Sequence, residues 1–203
     1  MKPWMDPDDI EILREVMRAY AETGQPLEIL EWGSGGSTLM CAELLHKLGV
    51  RFRWRSIEHH QSWNKRVRGK VAVSVKEEKI PKGAVTVHFM PLNTNGNTYI
   101  ALPWLDGDPE ELKDVPESAI KRQKFDIVIV DGRFRRRCVI RSRTLLKPNG
   151  ILLLHDAERP WYQCAKERYE HRAKLTTTTK KKRHMWAACL DPARVPFRPE
   201  SFS

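Results

Sequence analysis

The chain is expected to form an α/β domain with a single doubly wound sheet, mostly parallel and closed by an antiparallel C-terminal hairpin. Three observations predict it. Stretches of strand character at about 27–32, 51–57, 85–90, 125–131 and 150–155 alternate with helical stretches, the pattern of a parallel sheet covered on both faces. The run Phe125-Asp126-Ile127-Val128-Ile129-Val130 is almost continuously apolar, as in a strand buried on both sides at the centre of such a sheet. The two last strand-like runs, His171 to Thr177 and His184 to Leu190, have no helical stretch between them. Thr178 to Arg183 joins them as a basic tip.

At 203 residues the chain is long enough for one well-buried domain, and a single domain spanning 1–203 is expected. Hydrophobic residues make up 40% and charged residues 31% of it, ordinary values for a globular protein, and no apolar run approaches the roughly 20 residues of a membrane span. Met1 to Asp6 lacks the apolar stretch of a signal peptide, so a cytoplasmic location is expected. Cys41, Cys138, Cys164 and Cys189 are scattered without metal-ligand spacing and read as buried thiols. The net charge of +10 is unevenly placed: residues 1–132 hold 18 basic against 20 acidic residues, and 133–203 hold 18 against 6. That asymmetry fits an anionic partner or a solvated basic surface.

In chain order, Asp6-Pro7-Asp8-Asp9 opens a helix from about Pro7 to Ala21, with acids in the turn where the helix dipole favours them. Ile10, Leu13, Val16, Met17 and Tyr20 are its predicted buried face. Leu27-Glu28-Ile29-Leu30-Glu31-Trp32 is a strand, and Gly33-Ser34-Gly35-Gly36 a tight turn that lets a ligand come close. Ser37-Thr38 leads into a helix that Gly49 ends. A carboxylate at Glu31 would repel a pyrophosphate, so the turn suits a cationic or hydroxyl-rich ligand. The second strand ends at Glu58, 20 residues beyond Thr38, the interval at which nucleoside-binding units keep an acid for the ribose hydroxyls. His59 to Val67 opens a helix, with Trp63 either packed against it or covering a ring of the ligand. Val71 to Val75 and Val85 to Met90 read as two β-branched strands.

Residues 94–124 form a connection far longer than usual, with two roles open to it: lining a substrate pocket or covering the interface of a homodimer through Tyr99 to Leu105. A short helix at about 116–124 closes it. The fourth strand delivers Asp131 to its carboxyl end, the edge where open α/β sheets bind ligands. Arg133 then begins a helix that Lys147-Pro148-Asn149-Gly150 ends. The fifth strand, from Ile151, carries His155 and Asp156, and a further helix runs from about Glu158 to Tyr169. Residues 191–203 are read as an irregular tail.

The order Glu31-Trp32-Gly33-Ser34-Gly35-Gly36-Ser37-Thr38, Glu58, Phe125 to Gly132 and Leu146-Lys147-Pro148-Asn149-Gly150-Ile151-Leu152-Leu153, followed by the hairpin, resembles the class I S-adenosylmethionine-dependent methyltransferases, a Rossmann-like superfamily. By that resemblance Gly33, Ser34, Gly35, Gly36, Ser37 and Thr38 lie against the methionine part of S-adenosylmethionine, and Glu31 near its amino group. Glu58 would hold the ribose, His59 and Asn93 would border the adenine, and Asp131 would close the cofactor site. A dinucleotide-binding domain fits less well, because the glycines lack the Gly-x-Gly-x-x-Gly spacing. Asp131, His155 and Asp156, at the carboxyl ends of the fourth and fifth strands, are the candidates for taking the acceptor's proton, and Arg133 beside them suits an anionic substrate. The layout is similar to that of metal-dependent O-methyltransferases, which implies a divalent metal, magnesium, between Asp131 and Asp156; Ala157 stands where that family has Asn, and a metal-free site with His155 or Asp156 as base is the other reading. The Asn-Pro-Pro-Tyr type of tetrad used in base methylation is absent after Asp131. The reading that follows is O-methylation of a small-molecule or natural-product substrate with anionic groups. A nucleic-acid-binding protein of this fold, using the basic C-terminal third, is the alternative.

Overall fold

Period-two alternation along the central strands decides how the chain is layered. The computed structural model describes residues 1–92, 97–102, 123–175 and 184–199. The helices are α1 (Pro7–Ala21), α2 (Gly36–Lys47), α3 (Gln61–Lys76), α4 (Asn97–Ala101), α5 (Arg135–Leu145) and α6 (Gln163–Lys166). The strands are β1 (Leu27–Trp32), β2 (Phe52–Glu58), β3 (Val85–Phe89), β4 (Phe125–Val130), β5 (Leu146–Leu154), β6 (His171–Leu175) and β7 (Met185–Cys189). Among the described residues they form one sheet in the order β3-β2-β1-β4-β5-β7-β6. Pairing is parallel from β3 through β5 and antiparallel at β7 and β6, so the doubly wound sheet and its terminal hairpin are as expected.

Ile29, Ile127, Ile129, Ile151 and Leu153 face one core with Leu13, Leu45 and Val67 of α1 to α3. Their neighbours Leu30, Trp32, Val128, Leu152 and Leu154 face a second core with Tyr99, Cys138 and Leu145 of α4 and α5. Successive strand residues point to opposite faces, so each strand feeds both layers.

Five expectations are corrected. Of the cysteines read as buried thiols, Cys164 is exposed, while Cys41, Cys138 and Cys189 are buried. Val71 to Val75 is the last part of α3 and not a strand: Val67, Val71 and Ser74 are buried at helical spacing while Val73 faces solvent. The helix after β5 is reduced to a 3₁₀ turn at Pro160–Tyr162 and the four residues of α6. β5 already begins at Leu146, which pairs with Phe125, and the ladder slips before Ile127 meets Ile151, so Lys147 to Gly150 lies within the strand as a bulge. On α1 the buried face comprises Asp9, Leu13, Val16, Met17 and Tyr20, with Asp9 in the place predicted for Ile10. Asn93, most of 94–124, the hairpin tip and the last four residues lie outside the described residues. Of the Tyr99 to Leu105 patch, Tyr99, Ile100 and Leu102 are buried within the chain, and 103–105 lie outside the described residues.

Beyond the strand ends the ladder continues by one residue. Gly33 N–H donates to Ile57 O at 2.9 Å, Asp131 N–H to Trp32 O at 2.8 Å, and His155 N–H to Val130 O at 3.2 Å. The first residue after each strand is thereby held in line at the carboxyl edge. Gly33 has φ +95°, and a Cβ there would come within 2.9 Å of the Asp131 carbonyl carbon and the Gly132 nitrogen. Gly33→Ala is therefore expected to destabilise the fold by about 1–3 kcal/mol, measured by urea denaturation, because it imposes both a disfavoured φ and a backbone clash. An unchanged midpoint would contradict this close approach.

Candidate functional site

The sheet order reverses direction between β1 and β4, and at that switch point, at the carboxyl edge, lies a cavity of about 1230 Å³. That exceeds the few hundred to roughly 1,000 Å³ of an ordinary ligand pocket and leaves room for two molecules. One half is built on the segments after β1 and β2: Gly33 to Ser37, Glu58, His59 and Trp63. The other half is built on the segments after β4 and β5: Asp131 to Arg137, Arg159, Trp161 and Tyr162.

Glu31 does not reach the cavity. It is fully buried beneath the glycine turn, where its carboxylate accepts bonds from Ser37 Oγ (2.9 Å), Thr38 Oγ1 (2.6 Å), Trp54 Nε1 (3.0 Å) and Ser56 Oγ. Burial outweighs these four donors and raises the carboxyl to about 7. Thr38 is buried with it and also accepts the Gly35 N–H at 2.9 Å. Glu31 and Thr38 thus shape the turn from below, and the contact expected between Glu31 and a ligand amino group is not available in this geometry.

Glu58 does line the cavity. Its Oε2 accepts from Ser34 N (3.3 Å) and Ser34 Oγ (3.0 Å), and its Oε1 from His60 N (2.8 Å). His59 Nδ1 lies 3.1 Å from Oε1. Burial pushes the His59 imidazole below its ordinary value against the pull of Glu58, with Arg133 and His60 acting in the same direction as burial. Trp63 Nε1 donates to Ser34 O at 2.7 Å, so its indole stands beside the turn, and Arg66 lies 5.3 Å from the ring centroid. Over the turn runs the N-terminal segment: Met1, Lys2, Trp4 and Met5 line the cavity, and a Cβ on Gly36 would meet the Lys2 and Pro3 backbone at 2.4 Å.

The predicted catalytic residues meet, but not as a base and a metal. His155 Nδ1 lies 2.8 Å from Asp131 Oδ1, and its Nε2 lies 3.3 Å from Asp9 Oδ2 and 3.8 Å from Asp156 Oδ1. Burial alone would lower this imidazole. The bonds to Asp131 and Asp9 and the charge of Asp156 outweigh it and raise it to about 10. His155 is therefore an imidazolium at neutral pH, buried and outside the cavity lining, which removes it as a general base. Asp156 is likewise buried and outside the lining. Arg135 reaches Asp131 Oδ1 at 3.0 Å and Asp156 Oδ2 at 3.5 Å, and also donates to the carbonyls of Gly132 and His155. The guanidinium stands where magnesium would have to bridge Asp131 and Asp156, so these carboxylates do not fit a divalent ion. Among the described residues no cluster of His, Cys, Asp or Glu could hold a metal. Asp131 and Arg133 alone of the four predicted catalytic residues line the cavity.

Reading the sequence missed Asp9, although a signal was present: it is four residues before Leu13 on the apolar stripe of α1, an acid where the periodicity calls for an apolar residue. It also missed Trp161, Arg159 and the N-terminal segment, which carry no local pattern.

No protein-family model matches the chain, and no curated protein matches it in sequence. Solved structures do. A methyltransferase-like protein from Silicibacter pomeroyi superimposes with a TM-score of 0.58 at 22% identity, over 92% of this chain and 88% of its own. The O-methyltransferase from Bacillus cereus, in complex with S-adenosylhomocysteine (SAH), gives 0.57 at 17%, over 92% and 84%. Spermidine synthase from Thermotoga maritima gives 0.53 at 15%, over 96% and 66%. The chain shares the Rossmann-like fold of these methyltransferases, and the spermidine synthase shows that the fold is not confined to methyltransferases.

Two outcomes are expected. Glu31→Ala leaves the buried hydroxyls of Ser37, Thr38 and Ser56 without their acceptor, with Trp54 keeping only Ser56 Oγ, and should lower stability by about 3–5 kcal/mol by chemical denaturation. For His155 the folded value lies above the ordinary one, so its stabilising contribution is complete below about pH 6.5 and is lost as pH rises through about 10. The slope is at most about 1.4 kcal/mol per pH unit. An NMR titration of the imidazole should show it protonated at pH 8, and Asp9→Asn should move its midpoint down; a midpoint near 6.5 in the wild type would contradict the arrangement.

Proposed function

We propose that the protein is an S-adenosylmethionine-dependent methyltransferase that methylates a hydroxyl on a small molecule bearing anionic groups. One observation carries the reading: the glycine turn and Glu58 line the same cavity at the switch point, in the fold that methyltransferases share. The Gly33 backbone conformation and the bare Cα of Gly35, 3.9 Å from Trp63 for an added Cβ, make a cradle that fits the donor's close approach. Bound there, S-adenosylmethionine supplies a methyl group on a sulfonium. Glu58 would take the ribose diol, with the ribose hydroxyl replacing Ser34 Oγ on Oε2. His59, neutral through burial, and Trp63 would border the base.

On the other side, Asp131 Oδ1 is held by His155 and Arg135, which leaves Oδ2 to meet the acceptor. Oδ2 would accept the hydrogen bond of the acceptor hydroxyl, align its oxygen for an in-line displacement and take its proton as the methyl arrives. The two bonded cations fix the orientation of that carboxylate without a metal. Arg133 and its neighbours favour an acceptor with anionic groups.

Calorimetry with SAH tests the donor site: the wild type should bind, and Glu58→Ala should weaken binding at least tenfold. Absence of binding to the wild type would overturn the proposal.

A further inference from the structure

The two halves of the cavity differ in chemistry. The half after β1 and β2 presents the carboxylate of Glu58, with Arg66 and Lys70 of α3 as its cations. The half after β4 and β5 presents Arg133, Arg136 and Arg159, none of them within ion-pair distance of a carboxylate among the described residues. Asp131 is the acid of that half, and its Oδ1 is already bonded to His155 and Arg135. Two aromatic faces stand among these cations, Trp161 at 59% and Phe134 at 38% exposure, both far more open than core aromatics. Phe134 is held outward by a left-handed backbone, φ 49°, at the start of α5. Arg159 lies 5.7 Å from the centroid of the Trp161 ring, an exposed cation–π contact that a ligand ring can replace at small cost.

We propose that this half is an acceptor subsite for a phosphate monoester carried on a planar ring, resting on the reading of the other half as the donor site. Three guanidinium groups lining one cavity make its potential positive, which favours an anion, and one singly charged carboxylate compensates only part of that charge. A phosphate monoester carries close to two negative charges at neutral pH and offers the oxygen geometry that arginine binds bidentately. The ring lies on Trp161 or Phe134, and stacking orients its hydroxyl toward Asp131 Oδ2. Arg133 and Arg136 set specificity by binding the phosphate, while Asp131 stands closest to the reacting atom.

The test is calorimetry on protein saturated with SAH, using phenyl phosphate, phenol and benzoate as probes. Phenyl phosphate should bind at least tenfold more tightly than either control. Arg133→Gln and Arg136→Gln should each weaken it at least tenfold while leaving SAH binding within twofold. Arg143→Gln removes the same charge from α5, the helix of Arg136, outside the cavity lining and should have less than a twofold effect. A 5′-phosphorylated single-stranded trinucleotide tested in parallel separates two sources of the same chemistry. If it binds more tightly than phenyl phosphate with the same variant losses, the phosphate is presented by a strand end; if not, by a free small molecule.

Phenyl phosphate binding no better than phenol or benzoate, or Arg143→Gln costing as much as the cavity variants, overturns the subsite. Repeating the titration without SAH separates the two readings: arginine-dependent phosphate binding by a protein that fails to bind SAH would sink the donor site alone.

Discussion

The buried carboxylate of Glu31 is the interaction on which the rest of the site depends. It gathers the hydroxyls of Ser37 and Thr38 from the start of α2 and the Trp54 indole and Ser56 hydroxyl from β2, so one side chain of β1 ties three elements together. A carboxylate can be buried because its oxygens accept several bonds at once, and here the donors are neutral groups, not a counter-ion. That choice leaves every charged group near the cavity to deal with ligands or with its own partners. The turn above Glu31 is therefore shaped by neutral hydrogen bonds, and its upper surface presents backbone and Glu58 to the cavity.

Across the switch point the same problem is solved with charge. Three carboxylates, Asp9, Asp131 and Asp156, surround two cations, His155 and Arg135, and each group restrains the next. In a low-dielectric interior such a set is stable only when every charge finds a partner, which explains why an acid on α1 is brought to a strand end on the far side of β1. The guanidinium makes the arrangement self-sufficient. It supplies from within the chain the positive charge that a divalent ion would otherwise bring.

The fold was legible in the sequence because strand order and layering follow from local periodicity. Leu30 and Ile29 point to opposite cores, and nothing distant is needed to know it. The site was legible only where it is local. Gly33 to Gly36 and Glu58 lie one strand apart with a fixed spacing, and both border the cavity. Glu31 and His155 were read at the right place in the wrong role, because burial and partners from distant elements decide what a titratable group does, and neither is visible in a run of residues. The Val71 to Val75 run shows the opposite failure: β-branched composition pointed to a strand, while the helical spacing of Val67, Val71 and Ser74 carried the true signal.

The backbone of Lys2 and Pro3 lies directly on the α-carbon of Gly36, and Met1 is part of the cavity wall. The clearance above the turn is thus set by one missing carbon atom: any side chain at position 36 would have to lift the Lys2–Pro3 backbone, and with it part of the cavity wall. A glycine at the start of α2 fixes the width of a cleft whose other boundary comes from a segment far away in the chain.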